Sequence, residues 1–159
     1  MVRFHPLLSC LCQNGVEFVV VGGLAAVAHG SAYLTRDLDV CYSRTKRNRE
    51  KLAVALRSLH PRLRDAPPDL PFQLDAFLLN TTAILTLTTD AGDLDLLAEV
   101  PGLGDFQRVR AASELLEIEG LPCRVLGLAA LIAAKKATRR PKDRALLAEL
   151  EALAAMRQK

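Results

Sequence analysis

Two short stretches of this chain, Asp37-Leu38-Asp39-Val40 and Asp93-Leu94-Asp95-Leu96, alternate acid with aliphatic residue, and that alternation leaves few ways to fold. A period of two is the period of a β-strand, whose successive side chains leave opposite faces. Leu38 and Val40 then enter a core, while Asp37 and Asp39 share the other face with Cα atoms about 6.5 Å apart. Two carboxylates held that close repel unless positive charge sits between them. Magnesium, or manganese in its place, meets that need, taking one or two carboxylates at about 2.0–2.1 Å together with phosphate oxygens. Spread over two ions about 3.5–4 Å apart, such a site activates an attacking oxygen and steadies a leaving pyrophosphate.

Upstream, Glu17–Val21 reads as a buried strand that runs into Gly22-Gly23 and then a small-residue helix closed by Gly30. Glycines between a strand and a helix let backbone N–H groups approach a phosphate, and the helix N-terminus favours the anion. A diglycine turn or a D-x-D strand is ordinary by itself. Their ordered combination is not.

The remaining pattern frames these segments. Residues 2–14 predict a short helix stopped at Asn14-Gly15. Asn48 is placed to cap a helix reaching about Leu59, with Leu52, Ala55, Leu56 and Leu59 on one face. Pro61–Pro71 holds four prolines and reads as a loop. Residues 83–89 and 93–100 predict a hairpin around Asp90-Ala91-Gly92, with Asp90 in the turn. Residues 101–106 read as a loop, and two short strands flank Glu119-Gly120. Residues 127–157 predict closing helices, the last one opened by Pro141 and reaching about Met156. Mixed strands with helices at the start, middle and end make this α/β or α+β, and 159 residues suit one domain over 1–159.

Several function classes lose support. Cys10, Cys12, Cys41 and Cys123 follow no zinc spacing and are expected to be reduced, buried and inert. His5, His29 and His60 are scattered, which argues against a histidine-based hydrolase. No apolar run spans a membrane, and the N-terminal stretch lacks a small-residue cleavage pattern, so the expected setting is cytoplasmic. The net charge of +3 is unevenly spread. Between Arg44 and Arg64 stand eight basic residues against Glu50 alone, and Lys135, Lys136, Arg139, Arg140, Lys142 and Arg144 cluster later. Either group is a solvated helix face or a magnet for phosphate, from a triphosphate or RNA.

The order of the motifs resembles the polymerase-β-type nucleotidyltransferase superfamily, with a hydrophobic-Gly-Gly or Gly-Ser turn, a D-x-D strand and a third acid on a later strand. Thirteen residues separate Gly23 from Asp37, and Asp95 has the hydrophobic–Asp–hydrophobic setting of the third acid. Thr35-Arg36-Asp37-Leu38-Asp39 looks like the small bacterial members, toxin-like transferases and antibiotic nucleotidyltransferases among them. Residues 128–150 are similar to their closing helices, so the resemblance spans roughly residues 15–150.

This resemblance implies a short mixed sheet flanked by helices and a metal-dependent enzyme. The enzyme would move a nucleoside monophosphate from ATP or another NTP to a hydroxyl or phosphate, releasing pyrophosphate. Asp37 and Asp39 would be metal ligands, and Asp95 would take the acceptor's proton or hold a second metal. Asp93 is its rival on the same face, but it follows Gly92 and is assigned to capping the turn. Gly22 and Gly23 would contact the β- and γ-phosphates. The serine hydroxyl of other members is missing at Gly23, leaving Thr35 or Arg36 to assist, although Arg36 alternates to the opposite face. Lys135 or Lys136 would reach the triphosphate, the other covering surface; His29 and Ser31 are expected to fill a loop. The basic stretch favours tRNA or protein as acceptor, with an antibiotic as the alternative, kept open by Asp65, Asp69 and Asp75. A separate acceptor-binding domain is missing, which points to an antitoxin or a second copy as partner, or else to a non-catalytic nucleotide-binding regulatory module.

Overall fold

The computed structural model describes residues 2–158. In chain order the elements are α1 (His5–Gln13), β1 (Phe18–Val21), α2 (Gly22–Ala28), β2 (Asp37–Tyr42), α3 (Lys46–Arg57), β3 (Arg62–Leu63) and α4 (Ala76–Thr81). The hairpin β4 (Ile84–Thr89) and β5 (Gly92–Leu97) follows, then β6 (Glu99–Val100), β7 (Gly104–Asp105) and α5 (Phe106–Ala111). The chain closes with β8 (Ser113–Ile118), β9 (Leu121–Leu126), α6 (Leu128–Thr138) and α7 (Arg144–Arg157).

Seven strands form one mixed sheet in the order β3-β4-β5-β2-β1-β9-β8, and β6 and β7 pair separately. Every residue of β1 is buried, as a Phe-Val-Val-Val strand near the middle of a sheet should be. Strand β2 runs antiparallel to β1 and parallel to β5. A parallel pair cannot be joined by a tight turn. The long connection through α3, β3, α4 and β4 is what lets β5 lie beside β2 in the same direction. On their inner face, Leu38, Val40, Leu94 and Leu96 are essentially inaccessible, packed with Leu7, Leu8 and Leu11 of α1 and Leu52 and Leu56 of α3.

The structure corrects the sequence reading in places. Thr45, not Asn48, caps α3, its hydroxyl accepting from the Asn48 N–H at 3.3 Å. Asn48 lies inside the helix and is buried, because its amide bridges two segments. Its Oδ1 accepts from the Glu17 N–H at 2.7 Å, and its Nδ2 donates to the Glu17 and Ser43 carbonyls at 3.0 and 2.7 Å. Asn48→Ala is expected to cost roughly 2–4 kcal/mol, since it strands buried backbone partners; chemical denaturation would measure it.

The proline-rich loop contains the two-residue edge strand β3, and the expected loop after β5 contains β7 and leads into α5. Helices α4 and α5 escape periodicity because each is only six residues long. Their signal was the cap: Asp75 accepts from Leu78 N–H and Asp105 from Arg108 N–H. Pro141 opens a separate 3₁₀ turn, Pro141–Asp143, rather than the last helix itself. All four cysteines are free. Burial pushes the Cys41 and Cys123 thiols up to about 12, so both are inert. Cys12 departs from the expectation: it sits at the margin of the buried Leu7-Leu8-Leu11 stripe of α1 and is exposed.

Candidate functional site

The parallel register of β2 and β5 sets Asp37 opposite Asp93 and Asp39 opposite Asp95. Strands in a sheet lie about 4.7–4.9 Å apart, so four carboxylates crowd one patch of the sheet's outer face. Asp93 is therefore a strand residue of that patch and not the cap of the hairpin turn. Thr89 takes the turn role, its hydroxyl donating to the Gly92 carbonyl and accepting from the Ala91 N–H. Asp90 sits at the turn and pairs with His60 and Arg62.

Gly22 opens α2 directly above Asp39. Its φ is +67°, and a Cβ there would lie 2.1 Å from Asp39 Oδ2. Only glycine combines that left-handed backbone with room for the carboxylate. Gly23 is confined differently. A Cβ on it would lie 2.9 Å from Thr35 Oγ1, so the Thr35 hydroxyl fills the space that a side chain at this position would need. Thr35 Oγ1 also donates to the Asp37 carbonyl at 3.2 Å, which ties the loop to the start of β2.

Arg64 lies across the acids. Its Nη2 is 2.8 Å from Asp95 Oδ1, its Nη1 is 3.6 Å from Asp37 Oδ2 and its Nε is 3.6 Å from Asp93 Oδ2. The side chain is 19% exposed, so these contacts are only partly screened. The approach to Asp95 is one of charge without hydrogen-bond alignment, and Asp95 Oδ1 is buried with no hydrogen-bond partner. The directed bond of Nη2 goes to the Leu87 carbonyl at 2.7 Å. Sequence reasoning counted Arg64 only as one charge of a basic stretch. The signal it overlooked is that Arg62 and Arg64 alternate with Leu63, as strand residues do.

Asp39 has no such partner. Burial first, then the hydrogen bond and charge of Asp95 and the charge of Asp37, push its carboxyl up to about 8, with Lys135 pulling it back. Arg64 is the cation in contact with the other three acids. Lys135 faces the site from α6, its Nζ 3.5 Å from Asp143, whereas Lys136 pairs with Glu151 and is 60% exposed. Lys135 is thus the inward lysine and Lys136 the surface one.

The other candidates scatter. Arg36 is exposed and lines, with Leu24, Val27, Tyr33, Leu34 and Thr35, a cavity of about 570 Å³ that adjoins the diglycine bend without including the acids. His29 and Ser31 are not loop filler but buried struts. His29 Nδ1 accepts from Arg157, so its Nε2–H donates to the Leu126 carbonyl at 2.8 Å. Ser31 bonds Glu149 of α7. Half of the basic stretch is spent internally: Arg44 on the Asn80 carbonyl, Arg49 on Arg44 and Ala76 carbonyls, Arg62 on Asp90, Arg64 on the acids. Asp75 caps α4, and Asp65 and Asp69 are exposed in the proline-rich loop.

The donor chemistry suits a hard divalent cation: four carboxylates on adjacent strands, one buried oxygen without a hydrogen bond, and a cradle kept free of carbon at Gly22. Among the described residues no three such groups are already spaced as the ligands of a metal, and Arg64 stands where the positive charge is needed. Among the described residues no helix is long and apolar enough to cross a membrane.

No protein-family model matches the chain, nor does any curated protein match it closely. Solved structures do. The crystal structure of ANT(2″)-Ia in complex with adenylyl-2″-tobramycin superposes with a TM-score of 0.62 at 16% identity, covering 98% of this chain and 87% of that one. The solution structure of the same antibiotic-resistance factor gives 0.55 at 17% identity, covering 98% and 89%. A protein of Thermotoga maritima assigned as a nucleotidyltransferase gives 0.54 at 14% identity, covering 99% and 94%. The chain has the nucleotidyltransferase fold, as its motif order implied.

Proposed function

We propose, from the nucleotidyltransferase fold that this chain carries, that it transfers a nucleoside monophosphate from an NTP to an acceptor hydroxyl and releases pyrophosphate. The observation that carries the reading is the register that stacks Asp39 on Asp95 and Asp37 on Asp93 beneath Gly22. In this reading Asp37, Asp39 and Asp95 hold magnesium, which, when bound, neutralises charge on the phosphates and on the attacking oxygen. Asp95, level with Asp39 across the two strands, takes the acceptor's proton or holds a second metal. Gly22 and Gly23 offer backbone N–H groups to the phosphates, and the Thr35 hydroxyl stands in for the side chain absent at Gly23. Lys135 adds charge from α6; Lys136 is left to the surface.

The acceptor reading shifts with the structure. Arg49 and Arg64 are engaged inside the molecule and Arg44 and Arg62 in exposed contacts, which weakens the case for tRNA or an acidic protein surface. Asp65 and Asp69, exposed outside the site, suit a cationic, hydroxyl-bearing small molecule, and ANT(2″)-Ia, bound to an adenylylated tobramycin, is such a case by its description. An acceptor ring would find apolar walls in the cavity beside Tyr33 and Leu34.

Incubation with each α-labelled NTP, magnesium, and separately an aminoglycoside panel, total tRNA or cell extract tests this reading. Label should appear on an aminoglycoside and vanish in Asp39→Ala; label on tRNA or protein would return the acceptor to the toxin-like class. A second reading is favoured by Arg64 over the acids: a nucleotide-binding module without turnover. NTP binding with no pyrophosphate released on any acceptor would select it.

A further inference from the structure

Arg64 reaches the acids by a route that the sheet dictates. Its N–H donates to the Thr86 carbonyl at 3.0 Å, one step past the Leu63–Leu87 pairing, so Arg64 is level with Thr86 across the edge of the sheet. Thr86 in turn pairs with Asp95, and Asp95 with Asp39. Residues in one row across a sheet share a face, so Arg64, Thr86, Asp95 and Asp39 project together. A threonine between them is short enough for the guanidinium to pass over. The contacts that result are unequal. The bond to the Leu87 carbonyl is aligned and short, whereas the contacts to Asp37 and Asp93 are 3.6 Å ion pairs and that to Asp95 lacks alignment. The arginine is held by the edge strand and leans on the acids.

Resting on the reading above, we infer that Arg64 is a positioning residue that occupies the place of the divalent cation: it keeps Asp37, Asp93 and Asp95 converged until the cation displaces it. A guanidinium is well suited to this. It spans several carboxylates at once, yet each contact in a partly wet site is weak enough to exchange for a divalent ion. Asp93, surplus to a three-acid site, becomes the carboxylate that retains Arg64 after Asp37 and Asp95 turn to the metal. The arginine then competes with the cation, and the apparent metal affinity is lowered by the fraction of molecules in which it covers the acids.

Titration of the 159-residue chain with Mn²⁺, read from the electron paramagnetic resonance of the free ion, measures this without nucleotide or turnover. Arg64→Gln should bind Mn²⁺ about tenfold more tightly than wild type, and Arg64→Lys should fall between. A merely structural arginine would, when removed, weaken the site or leave it unchanged. In the wild type, the Arg64 Nε–H resonance should move as Mg²⁺ is added, which tests displacement even where Arg64→Gln folds poorly. Equal or weaker Mn²⁺ binding in both Arg64 variants, with Asp39→Asn still abolishing it, overturns the inference and leaves the cation site standing. An Arg64 resonance unmoved by saturating Mg²⁺ does the same. No Mn²⁺ binding by wild type or variant removes the cation site, and this inference with it.

Discussion

Asp39→Asn should destroy the candidate cation site and yet make the protein more stable at alkaline pH. The Asp39 carboxyl titrates at about 8 in the folded chain against an ordinary value of 3.8. Between those two values the folded state keeps a proton that the unfolded chain has released. Stability therefore falls as pH rises through this window, and the whole cost is present above pH 8. Asparagine is neutral throughout, matches the protonated acid in shape, and can donate to Asp95 from its amide. A gain of a few kcal/mol is expected at pH 8.5, a rise in Tm of roughly 5–10 °C for a chain of this size. At pH 4 the two proteins should melt together. Thermal unfolding of both across pH 4–9 checks it, and parallel curves at all pH values would show that Asp39 is an ordinary ionised carboxylate. The same variant should bind no Mn²⁺, which separates a site built for charge from one built for stability.

Gly22→Ala should have the second large effect, by the opposite route. A methyl group there arrives 2.1 Å from Asp39 Oδ2, 3.0 Å from its Cγ and 3.1 Å from its Cβ. Rotating the carboxylate relieves only the first contact, so β2 must shift as well. The left-handed φ of +67° adds about 1–2 kcal/mol for any residue with a Cβ. The expected result is a folded protein with Tm lowered by roughly 4–8 °C and cation binding lost. Adding Asp39→Ala to Gly22→Ala should recover part of the stability, since the clashing atoms are then gone. Simple additivity of the two losses would mean that the bend and the acid do not touch.

The outline of the fold was legible because its strands announce themselves locally. The Val-rich β1 and the Asp-Leu alternations of β2 and β5 each declare which side chains face the core. The diglycine bend was legible for the same reason, since a strand-to-small-residue-helix junction is a local event. Helices α4 and α5 were missed because six residues hold less than two turns, too few for a periodic stripe, and only an aspartate cap marks each. Asn48 was misread because its role is to bond Glu17, which lies far from it in sequence.

The residues themselves determined that Asp37 and Asp39 share a face, that Asp93 and Asp95 do the same, and that the bend before them must be glycine-rich. Alternation and backbone freedom are properties of a few neighbouring residues, so no partner is needed to establish them. Only the tertiary structure decided that the two acid pairs meet in parallel register, that burial and the neighbouring acids push the Asp39 carboxyl up, and that Arg64 rather than Lys136 answers their charge. Those outcomes depend on which strands lie side by side and at what offset, a choice made by the packed sheet as a whole.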